Sequence, residues 1–149
     1  MTDLAEQLRE FTRELAIVSR LWRKLARDAI ARHGVAEAGA APLVWIGRLG
    51  GDVRQNVLAD LCGMESPSLV RIIDDLQAAH LVVRVPDPSD RRANLVSLTP
   101  EGEVRLAEIE AVLNQLRDET FAGVSEDDIE AAGRIFAAIR GATNGTQQR

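Results

Sequence analysis

The apolar residues change period once along residues 55–102, and that change limits what the chain can become. Val57, Leu58 and Leu61 give a short helix its apolar side, and Gly63 supplies the break that two crossing helices need. Ser66 then reads as an N-cap followed by Pro67 at the first helical position. Leu69, Ile72, Ile73 and Leu76 fall at i, i+3, i+4 and i+7, one buried stripe of a second helix. Beyond it the period drops to two. Leu81–Val85 is a short β-branched run, and Ala93–Leu98 alternates well enough to be its antiparallel partner, so a two-stranded ribbon is expected. Thr99-Pro100 repeats the cap-and-proline signal, which starts a new helix where the ribbon ends.

The second helix leaves Pro67, Val70, Arg71 and Asp74 on its free face, with Ser66 and Ser68 at the tip. Small hydroxyls and one guanidinium at a helix N-terminus suit the major groove of DNA, where serine can donate or accept and arginine can fork onto guanine. The ribbon's tip is PDPSDRR. Its prolines and aspartates make a turn-rich, solvated loop, and Asp90 lies beside Arg91 and Arg92. A carboxylate that orients a guanidinium lowers the cost of placing it in a narrow, negative minor groove. Arg92 is the residue expected there, with Asp90 orienting it and Arg84 at the phosphates. Taken alone, Arg91 and Arg92 would read as ordinary solvated charges.

Asp90, Arg91 and Arg92, followed by a strand and by Leu98, Thr99, Pro100, Glu101 and Gly102, resemble the D-x-R and L-T-x-x-G signature of the MarR family of bacterial transcription regulators. The run GMESPSLVRIIDDL resembles the SlyA branch of that family. Three positions depart from the family pattern: Arg54 where a Ser or Thr cap is usual, Asp75 where a basic residue is common, and His80 where a glycine usually closes the recognition helix. The resemblance implies a mainly α fold with a small β-wing, a winged helix-turn-helix flanked by N- and C-terminal dimerisation helices. It also implies a homodimer whose terminal helices interleave, no cofactor, and a small, often aromatic and anionic, effector held between the dimer helices and the reading head. Trp22, Arg23, His33, Trp45 and Ile46 are the residues expected at such a site, with an aromatic carboxylate as the effector. Each tryptophan also has a plain reading as core, since Trp22 lies on a heptad seam and Trp45 in an apolar helix.

That seam is Leu4, Leu8, Phe11, Leu15, Val18, Trp22, Leu25 and Ala29, spaced by four and three through a helix of about 40 Å. From spacing alone it demands only a packing partner. Ile109, Val112, Leu113 and Leu116 form a second stripe, and Ile129, Ile135, Phe136 and Ile139 a third, separated by Gly123-Val124-Ser125. Ser125 with Asp128 three residues on resembles a capping box. The expected organisation is a dimerisation helix over 1–34, the DNA-binding core over 35–100, and dimerisation helices with a frayed tail from Gly141 over 101–149. His33–Pro42 reads as a connector into the buried helix LVWIGRL, which Gly50-Gly51-Asp52 ends.

The net charge of −5 argues against a simple electrostatic binder. Most of the excess acid is C-terminal, residues 101–149 summing to −5, yet residues 54–100 still sum to −1 because five arginines face six carboxylates. Binding would have to come from placement of a few arginines and from doubling in a dimer. A winged-helix module that binds protein instead is the competing reading. Enzymatic and metal chemistry find no footing: the two histidines are far apart, and no nucleophile elbow, phosphate loop or ligand spacing occurs. Cys62 reads as an inert buried thiol rather than a redox sensor. No apolar run is long enough to span a bilayer, and the polar start MTDLAEQLRE is unlike a signal peptide, so a cytoplasmic protein with no membrane partner is expected.

Overall fold

The computed structural model describes residues 3–33 and 39–146. The elements are α1 (Leu4–Arg32), α2 (Ala40–Leu49), β1 (Val53–Arg54), α3 (Gln55–Cys62), α4 (Ser66–Ala78), β2 (Val82–Asp87), β3 (Asp90–Leu98), α5 (Pro100–Thr120) and α6 (Glu126–Thr146). They fall into two compact units, Met1–Leu116 and Arg117–Arg149. Among the described residues no helix is long and apolar enough to cross a membrane.

The core of the first unit is built from the predicted stripes. Leu43 and Ile46 of α2, Leu58 of α3, Leu69 and Ile73 of α4, Val96 of β3 and Ile109 of α5 are almost wholly removed from solvent. Such burial is worth roughly 1.5–3 kcal/mol for each large aliphatic side chain. Only the last turns of α1 join this core, through Ala29 and Ile30, with Trp22 and Ala26 packed against it. Much of the rest of the heptad seam is open among the described residues: Leu4, Leu8, Val18 and Leu25 are 66%, 55%, 47% and 45% exposed. A helix of 29 residues kept amphipathic along its whole length while anchored at one end is built to pack against another surface.

The connector begins as expected at His33, whose Nδ1–H donates to the Ala29 carbonyl at 2.8 Å and closes α1. Residues 34–38 lie outside the described residues, and α2 already starts at Ala40, so Ala40–Pro42 are helical rather than linker. The Gly50-Gly51-Asp52 break is real. All three residues have positive φ, 80°, 87° and 51°, which turns the chain through a conformation that glycine adopts freely. Asp52 and Ser97 lock the turn reciprocally: the Asp52 N–H donates to Ser97 Oγ at 2.8 Å, and that hydroxyl donates to Asp52 Oδ1 at 3.0 Å.

This lock delivers a strand that sequence patterning did not anticipate. Val53 and Arg54 pair with Val96 and Leu95, so the expected two-stranded ribbon is a three-stranded antiparallel sheet in the order β1-β3-β2. β2 and β3 pair from Val82↔Leu98 to Pro86↔Asn94, with an irregularity between Pro86 and Asp87 before the two-residue turn Pro88-Ser89. At the other end of the ribbon, His80 takes φ 59°, the left-handed region that favours glycine. The Leu81 N–H reaches the Leu76 carbonyl at 2.9 Å, closing α4 in the left-handed manner of a helix C-terminus. Thr99 then joins α4's end to α5. Its Oγ1 donates to the His80 carbonyl at 2.5 Å and accepts the Gly102 N–H at 3.0 Å. Gly102 is required there, because a Cβ would overlap the Leu81 carbonyl oxygen.

In the second unit the capping box is present: the Asp128 N–H donates to Ser125 Oγ at 3.2 Å and Asp128 Oδ2 accepts the Ser125 N–H at 3.1 Å. The Ser125 hydroxyl, which donates to Asp128 Oδ2 at 2.7 Å, and then the Ser125 N–H hold the Asp128 carboxyl below the usual carboxylate range. Ile129, Ile135, Phe136 and Ile139 are all more than a third exposed. The helix continues to Thr146, so Gly141 does not begin a frayed tail.

Candidate nucleic-acid interface

α3 and α4 cross at Gly63, which takes φ 63° and lets the Met64 N–H reach the Ala59 carbonyl at 2.9 Å. Burial of Leu69, Ile73 and Leu76 fixes the rotation of α4, and Ser66, Pro67, Ser68, Val70, Arg71 and Asp74 are left exposed on the opposite side. Ser66 does not cap the helix. The N-cap is Glu65, without a side-chain bond, and Ser66 is already helical; among the described residues neither the Ser66 nor the Ser68 hydroxyl has a hydrogen-bond partner. Pro67 sits in the first turn, where its missing N–H costs nothing.

Between the tip of α4, the start of α3 and the wing lies a cleft of about 330 Å³ lined by Arg54, Gln55, Asn56, Ser66, Val70, Asp90, Arg92, Ala93 and Asn94. The fold thus gathers four of the expected DNA-contact residues, Ser66, Val70, Asp90 and Arg92, around one opening. Pro67, Ser68, Arg71, Arg84 and Arg91 lie outside its lining. Of these, Arg71 and Arg91 are exposed, and neither forms an ion pair among the described residues.

Two expected roles take a different form. Asp90 does not grip the Arg92 guanidinium; its Oδ1 accepts the Arg92 backbone N–H at 3.0 Å, which shapes the start of β3 and leaves the side chain extended from it. Arg84, expected at the phosphates, has its side chain only 21% exposed and donates through Nη2 to Asp74 of α4 at 2.7 Å. Its Nε is buried without a partner among the described residues. The carboxylate that does hold a guanidinium at the wing is Asp87. Its Oδ2 accepts from Arg54 Nε at 2.7 Å and lies 2.6 Å from Nη2 in an ion pair, while Oδ1 accepts the Ser89 N–H at 2.9 Å and hydroxyl at 2.7 Å. Ser89 foremost, and then Arg54, keeps the Asp87 carboxyl below the usual carboxylate range. Asp-x-Ser is an Asx-turn signal that could have flagged this aspartate; nothing in the sequence flagged its arginine partner.

The residues expected at an effector site are apart from this cleft. Trp22 and Trp45 are half-buried against the core, and Arg48 lies 5.4 Å over the Trp45 ring. Arg23 and His33 are exposed, whereas Ile46 has no solvent-facing surface and serves the core. Cys62 is half-buried, and burial pushes its thiol up to about 11, which suppresses the thiolate that redox sensing requires.

A helix pair crossing at a left-handed glycine, a second helix with a polar free tip, and a ribbon beside it define a winged helix-turn-helix DNA-binding protein. The sequence of residues 42–93 matches the model of the MarR family. The crystal structure of the transcriptional regulator PA3341 superposes with a TM-score of 0.80 at 30% identity, over 91% of this chain and 98% of that one. CouR from Rhodococcus jostii RHA1, solved bound to p-coumaroyl-CoA, is similar at TM-score 0.71 and 25% identity over 84% and 87% of the two chains. A mutant MarR from E. coli, solved in complex with operator DNA, shares the fold at TM-score 0.69 and 20% identity, over 93% of this chain and 99% of that one. The chain belongs to the MarR family of DNA-binding transcriptional regulators.

Proposed function

We propose that the protein is a homodimeric, sequence-specific repressor of the SlyA-like branch that reads a pseudo-palindromic double-stranded operator with half-sites about one helical turn apart. The observation that carries this is the shared cleft: the α4 tip and Arg92 of the wing open onto one space, as adjacent major- and minor-groove contacts require. Ser66, Pro67, Ser68, Val70 and Arg71 face the major groove, and Arg91 and Arg92, with Asp90 shaping the strand that carries them, approach the minor groove. The exposed seam of α1 and the exposed apolar residues of α6 support the dimer. Residues 1–34 and 101–149 are its dimerisation helices, and residues 35–100 its reading core.

The effector is a small aromatic acid or its conjugate. CouR's p-coumaroyl-CoA is an aromatic acyl compound of this class. Trp22, Arg23, His33 and Trp45 are its proposed surroundings, with Ile46 as core backing. Titration with aromatic carboxylates should change tryptophan fluorescence, and unchanged emission across such a panel removes the proposed site. The DNA reading is tested by mobility shift of the protein with its own upstream DNA, and with duplexes selected from a randomised library, at two salt concentrations. A salt-sensitive, competitor-resistant shift that weakens about tenfold or more in Arg92→Ala, with the dimer intact, is the expected result. No selectable sequence would transfer the fold to a protein-binding role.

A further inference from the structure

We infer that Arg54 and Asp87 are a positioning pair that sets the angle of the wing, and so decides whether the minor-groove flanks of the operator are read. The inference rests on the DNA-binding function proposed above. Arg54 occupies three roles at once: last residue of β1, N-cap of α3, and partner of Asp87. Its backbone is therefore fixed to the helix-turn-helix on one side and to β3 opposite Leu95 on the other.

β1 and β2 are not neighbours; β3 lies between them. The Arg54 side chain crosses β3 to reach Asp87 at the end of β2, and one contact thereby ties all three strands together. It does so where the sheet is weakest. The regular register ends between Pro86 and Asp87, and Pro86 has no N–H for the ladder, so backbone pairing alone leaves the tip free to twist. The guanidinium donates from Nε to one oxygen of Asp87, stays ion-paired to that oxygen through Nη2, and donates from Nη2 to Ser89 Oγ at 3.1 Å. With the Asp87 side chain only 7% exposed, the pair is shielded from solvent on the carboxylate side. Arg91 and Arg92 follow within a few residues, and Arg92 shares the cleft lining with Arg54. A tilt at Asp87 would carry both arginines with it.

Arg54 has one other plausible use, as a phosphate contact at the start of α3, and the two uses predict opposite effects for Asp87. If Arg54 served phosphates, Asp87→Asn would free a cation and strengthen binding. If the pair positions the wing, Asp87→Asn weakens binding, although the amide oxygen can still accept from Ser89 and keep the turn. The test uses full-length wild type, Arg54→Ala, Asp87→Asn and the double variant, with a duplex that the wild type has selected from a randomised library. Affinity is read together with hydroxyl-radical footprints. Each single variant should lose about tenfold in affinity and the flanking minor-groove protection, with central major-groove contacts retained. The double should be no worse than either single, because two partners of one contact do not add. Flank protection retained in both singles, or an Asp87→Asn that binds as tightly as wild type or tighter, overturns the inference and leaves the DNA reading standing. Failure of the wild type to select any sequence overturns the DNA reading, and the inference falls with it.

Discussion

Replacing Asp74 by alanine should move stability and DNA binding in opposite directions, because the Arg84–Asp74 pair joins the recognition helix to the wing by neutralising a cation. The two groups meet at 2.7 Å with side-chain exposures of 21% for Arg84 and 58% for Asp74. The exposed partner places the pair nearer the surface case than the buried one, so its loss costs about 1 kcal/mol. For a chain of this size that lowers the melting temperature by about 3 °C. Arg84 Nε already lacks a partner, and losing Asp74 leaves Nη2 without its own, which favours rotation of the guanidinium toward solvent. There it can meet a phosphate. Each added phosphate contact steepens the dependence of log affinity on log salt by about 0.9, hence by about 2 for two reading heads. Between about 50 and 200 mM salt, the variant should therefore lose about tenfold more affinity for mixed-sequence DNA than wild type loses. Fluorescence anisotropy with a labelled duplex across that range, beside a thermal melt, measures both. An unchanged slope in Asp74→Ala refutes the argument. So does a shallower slope in Arg84→Ala, which would mean that Arg84 already sits on a phosphate in the wild-type complex.

Three further outcomes follow from the same structure. Gly102→Ala must displace the start of α5 from Leu81, and a loss of about 2 kcal/mol with a melting temperature several degrees lower is expected by calorimetry; an unchanged melt would mean that this approach is not fixed. Cys62, pushed up to about 11, should react with iodoacetamide at about pH 8 roughly a hundredfold more slowly than an ordinary exposed thiol, with denaturant restoring the rate; equal rates in the folded protein would restore the sensor reading. Asp87 and Asp128 both have lowered folded-state pKa values, so their stabilisation is complete above the unfolded carboxylate value and is lost as pH falls through the lowered one. Acid unfolding of Asp128→Asn should accordingly show a shallower fall of stability below the usual carboxylate range than wild type, and a superimposable pH profile would count against the capping box.

What could be read from the sequence was whatever repeats or sits close together. The stripe Leu69, Ile72, Ile73 and Leu76 gave α4 and its free face, and Leu69, Ile73 and Leu76 are buried as that periodicity demands. Ser125 and Asp128 lie three residues apart, and their reciprocal bonds form. β1 has two residues, too few for any periodicity, and exists because the Asp52–Ser97 lock presents it to β3. The pairs Arg54–Asp87 and Asp74–Arg84 span 33 and 10 residues, and only the folded register brings them together. Chain-neighbour reasoning for the same reason assigned Arg92's guanidinium to Asp90, where the carboxylate takes the backbone N–H. α6 runs past Gly141 because its capped start and continuous helical bonds outweigh the modest cost of a glycine.

The two internal ion pairs also bear on how such a regulator would find its target in a crowded chromosome. Of the five arginines in residues 54–100, Arg54 and Arg84 have carboxylate partners. While these pairs hold, their charge is withheld from phosphates, on decoy sequence and operator alike. What is given up is therefore indiscriminate attraction, the component that parks a protein on irrelevant DNA, while the base-edge contacts proposed for α4 are untouched. A reading head of this kind leaves wrong sites quickly, and fewer copies suffice to keep a single operator occupied.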